Sequence, residues 1–324
     1  VVSALPKKVV IATPEKLAKI NPKNVELWRK YLNGMLNNLS EASRYNYTSD
    51  MNQFFIYILD NYDNKYLFDF DTEEAAEMIE DFIAFCTTVL GNKTRRISRR
   101  LSSISSMYIY YKKKRKIKEN PIELLERPKI AKGKHEIKQT FLTKEQVELI
   151  RKKLSEMNDI QLELFFEFAL STMARINAIA NTKVEQINLE TRRVENVLEK
   201  EGYLVTLFFS KKCKELIEKW LQIRREHNID CEYLFCTKTK DGWKQVSKST
   251  FQNSWIKKIG NIINEPDLHC HDLRHSGSNL LYQNGMSLED VSKLLNHKGT
   301  QVTQDFYLQI NYNALQEKKD AIEI

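Results

Sequence analysis

Apolar residues at helical spacing, with very little to interrupt them, constrain this chain more than any other feature. In the stretch 24–39, "NVELWRKYLNGMLNNL", Leu27, Tyr31, Leu32, Met35 and Leu39 fall on one helical face. Only nine glycines and six prolines occur in 324 residues. Breakers that scarce argue against the frequent turns of an all-β fold and against long disordered linkers. Hydrophobic residues make up 42% of the chain, enough for real cores, and the length favours about two domains.

The same periodicity continues. Ser40 or Ser43 is placed to cap a second helix over 41–62. Thr72 is placed to cap a third, whose first turn is acidic, where the helix dipole favours negative charge, and Gly91-Asn92 ends it. A fourth covers 93–118, with Ile97, Leu101, Ile104, Tyr108 and Tyr111 as its core stripe. It carries eleven Lys or Arg and no Asp or Glu. Such a surface repels itself unless an anion sits on it, which points to phosphate contact. Residues 1–20 read as a tail with a β-prone patch at 9–12, and the proline-bearing stretch 120–140 reads as the connection between domains. The expected organisation is a tail (1–20), a helical domain (21–125), a linker (126–140) and a second domain (141–324).

In the second domain Thr143 and Gln146 have the spacing of a capping box. Residues 159–190 read as mostly buried helix, and 192–210 alternate enough for a β-hairpin turning at Lys200-Glu201-Gly202. Helices are expected at about 211–227, 247–263, 272–284 and 287–296. The fold class is therefore mainly α with a small β-sheet, in two domains.

The net charge of +8 suggests a polyanionic partner. Five scattered cysteines without a CxxC pair indicate reduced thiols in a cytosolic protein, with no disulfide framework and no zinc site. The first residues make a poor signal peptide, and no run of eighteen apolar residues exists, so no membrane span is expected.

One short span concentrates chemistry. "HDLRH" brings His271 and Arg274 onto one helical face, "LLNHKG" follows with His297, and "DFY" ends on Tyr307. Arginine offers a planar fork of donors suited to phosphate, and histidine exchanges protons near neutral pH. A phenol is a poor nucleophile unless cationic donors around a phosphate assist its attack. Taken singly, each of these residues has an ordinary structural use. Together and in this order they resemble the C-terminal half of the tyrosine recombinase (phage integrase) catalytic domain.

The resemblance extends upstream. "ARINAIANTKVEQINLE" is similar to the box that supplies the family's first arginine, here Arg175, and "VLEKEGYLV" to the hairpin carrying its lysine, here Lys200. The 93–123 stretch resembles the last helix and exit of the family's helical core-binding domain. What the resemblance implies is a two-domain clamp on duplex DNA that exchanges strands at specific sites. Arg175 and Arg274 would hold the scissile phosphate, and His271 and His297 would hydrogen-bond its oxygens. Lys200 would protonate the leaving 5′-oxygen, and Tyr307 would form a 3′-phosphotyrosine. Such a transesterification needs no metal and no nucleotide cofactor. The layout resembles the simpler Xer type, without a separate arm-binding domain. The segment 313–324 resembles a C-terminal helix that docks on a neighbouring subunit, so self-association on DNA is expected. Arg95, Arg96, Arg99 and Arg100 are expected to touch phosphates or bases.

The chain departs from the family pattern at four places. Met173-Ala174 stands where Gly-Leu is usual, Ala178 where an acid follows the first arginine by three residues, "LEKEGYLV" where the hairpin is rich in glycine and bases, and Asn296 where glycine precedes the second histidine. These departures, with the size and the Lys/Asn/Ile-rich composition, also resemble the recombinase-fold master repressor of SPβ-type temperate Bacillus phages, which implies an operator-binding protein that does not cut.

Overall fold

The computed structural model describes residues 11–127, 140–199 and 202–296. The chain divides into two compact units, Val1–Lys132 and Gly133–Ile324.

The first unit is helical. Its helix α1, Pro14–Lys19, lies inside the segment expected to be a tail. Thr13 caps it, and Pro14 occupies the first turn, where a missing N–H is harmless. Ile20 is buried, and Asn21 donates two 2.8 Å hydrogen bonds to Asn64, so the helical unit begins earlier than residue 21. Helices α2 (Pro22–Gly34), α3 (Glu41–Asn61), α4 (Thr72–Thr88) and α5 (Thr94–Lys113) follow. Ser40 caps α3. The cap of α4 is Asp71, not Thr72: its carboxylate accepts the Glu74 N–H at 2.8 Å, and Glu74 reaches back to the Asp71 N–H at 3.2 Å. An ionised oxygen is the stronger acceptor at a helix start, and it draws the boundary one residue back.

The whole expected stripe of α5 is buried. Tyr111 donates to the Leu27 carbonyl of α2 at 2.6 Å, and the Tyr31 and Ser106 hydroxyls meet at 2.7 Å. Phe54 of α3 and Phe82 of α4 close the other side, with ring centroids 5.1 Å apart. α5 is thus fixed along one face, and its basic residues take whatever orientation remains.

In the second unit, α6 (Lys144–Glu156) starts with the expected Thr143–Gln146 capping box. The stretch expected to be mostly buried helix holds two helices, α7 (Ile160–Thr172) and α8 (Ile176–Asn181). The break is Met173, whose φ of +52° is left-handed. Strands β1 (Ile187–Asn188), β2 (Arg193–Leu198) and β3 (Leu204–Phe208) form an antiparallel sheet in that order. After α9 (Lys211–Glu226) comes a hairpin that periodicity did not anticipate, β4 (Cys236–Thr239) and β5 (Gly242–Gln245). Its signal was the Asp241-Gly242 pair, with Gly242 at φ +109°. Helix α10 (Lys248–Thr250), a π-helical turn (Phe251–Trp255) and α11 (Ile256–Ile262) then lead to α12 (Cys270–Gln283) and α13 (Leu288–Leu294).

The core of this unit is aromatic, with Phe165 and Phe168 of α7 against Phe235 and Phe251. α12 lies directly on α7. At Gly277 a Cβ would come within 2.2 Å of the Leu170 carbonyl oxygen, so only glycine permits this approach.

Candidate active site

The "HDLRHSGSN" run owes most of its residues to packing. Leu273, Arg274, His275, Ser276, Gly277, Ser278 and Asn279 are all buried in α12. Asp272 caps the helix start by accepting the His269 N–H at 2.8 Å. It also accepts the Thr140 N–H at 3.3 Å, and Ser276 accepts the Leu142 N–H at 2.8 Å. These bonds tie the entry of the unit to its central helix. His275 packs edge-on against His271, ring centroids 4.7 Å apart, and against Phe141.

His271 alone of this run faces solvent, at the first turn of the helix. Desolvation first, then the charges of Arg274 and Arg175, push its imidazole down to about 4. The ring is therefore neutral at physiological pH. Both arginines are felt at one imidazole, so the fold brings Arg175 near His271, which lies 96 positions later in the sequence.

Arg274 is 2% exposed. Its Nη1 donates to the Met173 carbonyl at 2.6 Å and its Nη2 to the Leu295 carbonyl at 2.7 Å. It pins the α7–α8 turn and the end of α13 to α12, and it sets a positive charge directly beneath the turn that carries Arg175. That turn is strained in the way the family's usual glycine would avoid. A left-handed L-residue costs about 1–2 kcal/mol. Here the Met173 side chain is buried with Val291 and Leu295, and its carbonyl is held by Arg274. Asn296, the other residue standing in place of a glycine, also has a left-handed φ of +54°, a conformation asparagine tolerates well. At both departures the backbone keeps the shape that glycine would take.

Arg175 is the N-cap of α8, extended in backbone and 34% exposed in its side chain. Its Nη1 lies 2.5 Å from Oε2 of Glu199, at the end of β2. Ala178, the residue at the expected acidic position, is fully buried in the core and supplies no carboxylate. Sequence reasoning did not identify Glu199 as the partner of Arg175. Lys200, His297 and Tyr307 lie outside the described residues.

The nucleic-acid contacts expected of α5 are separated by the structure. Asp50 of α3 is a buried carboxylate. Arg99 binds it twice, at 3.0 and 2.9 Å, with Arg96 at 3.6 Å and Arg100 at 3.8 Å. Arg100 is 4% exposed and also donates to Gln53 at 2.5 Å and to the Cys86 sulfur at 2.9 Å. Arg100 was expected to touch phosphates or bases with the other three, but it is turned into the helix bundle because Asp50 and Gln53 reach it there. Arg95, Arg96 and Arg99 remain partly exposed. One carboxylate among three guanidiniums leaves surplus positive charge. Burial and then the neighbouring Arg99 lower the proton affinity of Arg96.

Among the described residues no group of three or more His, Cys, Asp or Glu stands together as a metal site requires, and no helix is long and apolar enough to cross a membrane.

The first unit carries a basic helix, and the second brings Arg175 and Arg274 to one turn, with His271 one helical turn from Arg274. The sequence model of the phage integrase family matches residues 140–314, and the chain belongs to that family. A protein named tyrosine recombinase from Thermosipho africanus is 26% identical over 306 residues, covering 93% of this chain and 99% of its own. The tyrosine recombinase XerC of Lactobacillus leichmannii is 26% identical over 223 residues, covering 64% and 70%. Among solved structures, XerH site-specific recombinase bound to palindromic difH substrate superposes with a TM-score of 0.67 at 16% identity, over 96% of this chain and 92% of that one. The Tn1549 transposon integrase in complex with transposon right-end DNA gives 0.65 at 14% identity, over 92% and 99%. The fold is the two-domain tyrosine recombinase fold. These relatives support the recombinase resemblance; the resemblance to a phage master repressor is not borne out.

Proposed function

We propose that this protein is a site-specific DNA recombinase that cuts and rejoins duplex DNA through a 3′-phosphotyrosine at Tyr307. The observation that carries the reading is that Arg274 reaches the α7–α8 turn that presents Arg175, with His271 one helical turn from Arg274, in a fold whose family performs this chemistry. In the proposed reaction the scissile phosphate sits against the exposed guanidinium of Arg175 and beside His271, with Arg274 adding charge from beneath. Neutral His271 donates a hydrogen bond to a phosphate oxygen. The arriving anion offsets the two arginines and raises the affinity of His271 for a proton. Lys200 protonates the leaving 5′-oxygen and His297 hydrogen-bonds the phosphate. The helical unit serves as the core-binding domain, with Arg95, Arg96 and Arg99 on phosphates and Arg100 holding Asp50 and α3 in place. Copies associate on DNA through the C-terminal segment, and the reduced thiols suit the cytoplasm.

The test traps the intermediate. DNA fragments selected by binding are remade with a nick near the centre of the site, incubated with wild type and Tyr307→Phe, and run on denaturing gels. A protein–DNA adduct with wild type and none with Tyr307→Phe is the expected result. Tight binding with no adduct at any nick position would overturn the reading.

A further inference from the structure

Arg175 is a partly exposed charge at the candidate phosphate site, yet the buried face of its own helix offers it no acid: position 178 is alanine. What holds it comes from the sheet. The pairing of β2 with β3 runs Val194 to Leu207 and then Val197 to Val205, so β2 carries one extra residue between these pairs. Asn196, within that irregularity, has a left-handed φ of +56°. In a regular strand successive side chains alternate, and a strand with Val194 inward would turn residue 199 outward. The bulge shifts the alternation by one. Val197 then faces the core, and Glu199 follows it inward, 9% exposed.

Two ties fasten this strand end to α8. Asn181 at the end of α8 donates to the Leu198 carbonyl at 3.0 Å, and Arg175 at its start pairs with Glu199 at 2.5 Å. The Glu199 backbone is itself held, its N–H donating to the Tyr203 carbonyl across the hairpin at 2.8 Å. Both ends of a six-residue helix are thus anchored to consecutive residues of one strand.

We propose that Glu199 is the positioning carboxylate of this site, holding Arg175 in place for the phosphate through the bulged end of β2. One Nη is occupied by Glu199, and the rest of the guanidinium fork is oriented by it. The carboxylate also offsets repulsion between Arg175 and Arg274, whose charges both reach His271. The catalytic part of this proposal rests on the recombinase reading above; the binding part does not.

A positioning role and a plain charge effect predict opposite signs. By charge alone, removing a carboxylate near DNA tightens binding and strengthens the remaining arginine. By positioning, Arg175 contributes less once Glu199 is gone. The experiment compares wild type, Glu199→Gln, Glu199→Ala, Arg175→Ala and the Arg175→Ala/Glu199→Ala pair, each first shown by thermal unfolding to be folded. On nicked substrates, Glu199→Ala is expected to slow adduct formation by about 10- to 100-fold, the scale of a misplaced catalytic group. Glu199→Gln, which keeps an acceptor for Arg175, should fall between it and wild type. Unchanged or faster cleavage in Glu199→Ala would overturn the proposal. Affinity decides independently of cleavage. The drop in DNA affinity caused by Arg175→Ala should be smaller without Glu199 than with it. An equal or larger drop would overturn the proposal even if wild type forms no adduct, an outcome that by itself counts against the recombinase reading.

Discussion

His271 illustrates how the site works on single residues. Desolvation disfavours a positive charge on its ring, and the charges of Arg274 and Arg175 add to that. Its pKa is lowered from the usual histidine range, so the sign of the linkage is that of a base kept neutral by folding. The stability it contributes is present above the ordinary histidine pKa and is lost as pH falls toward about 4. We expect the His271 resonance, followed by NMR, to titrate well below the ordinary histidine range, and Arg175→Ala to move its midpoint upward. A midpoint near the ordinary histidine value of about 6.5 in the wild-type protein would show that the ring is neither desolvated nor beside the two arginines. Met173 and Asn296 carry a second lesson at this scale. Read as letters they are lost glycines. Read as backbone they hold the same left-handed conformation, secured at Met173 by a buried side chain and a carbonyl bound to Arg274.

At the scale of elements, the close crossing of α12 on α7 determines where the site residues stand. Gly277 permits that approach, and Arg274, one turn earlier, uses it to reach the Met173 carbonyl. Gly277→Ala would place a methyl 2.2 Å from the Leu170 carbonyl oxygen and 2.9 Å from Met173 Cγ. Because the nearest atom is backbone, the helices must separate. We expect a decrease of about 1–3 kcal/mol in stability, read by denaturant unfolding, as for other overpacked cores. Unchanged stability would mean that the two helices slide apart without penalty. The β2 bulge acts at the same scale. One extra residue reverses the facing of everything after it, and so decides that Glu199 meets Arg175.

Across the whole molecule the two units have separate cores and separate basic features. α5 presents Arg95, Arg96 and Arg99 from a bundle anchored by Asp50, and the second unit presents Arg175 from the α7–α8 turn. If both units bind the same duplex, affinity must fall steeply with salt. Replacing Arg96 and Arg99 together should weaken binding and reduce the magnitude of the salt slope by about 0.9 for each phosphate the protein no longer neutralises. Arg100→Ala should act through stability, since its guanidinium is committed to Asp50, Gln53 and Cys86. Disappearance of the salt slope on replacing Arg100 alone, in a folded protein, would reverse this assignment.

Much of this was legible in the chain itself. Helical periodicity and scarce breakers specified the helices, because burial of one face every 3.6 residues is a local pattern. The ordered set of Arg, His, Arg, His and Tyr pointed to phosphate chemistry, because few residue types can perform it. Tertiary structure decided the rest. Which arginine of α5 turns inward depended on Asp50, a carboxylate on α3 far away in sequence. Which acid serves Arg175 depended on a bulge in another element. Local sequence specifies which residues share a face of an element. Only the packing of elements specifies what that face meets, and for buried charges the partner across the gap, not the charge itself, determines what the side chain can do.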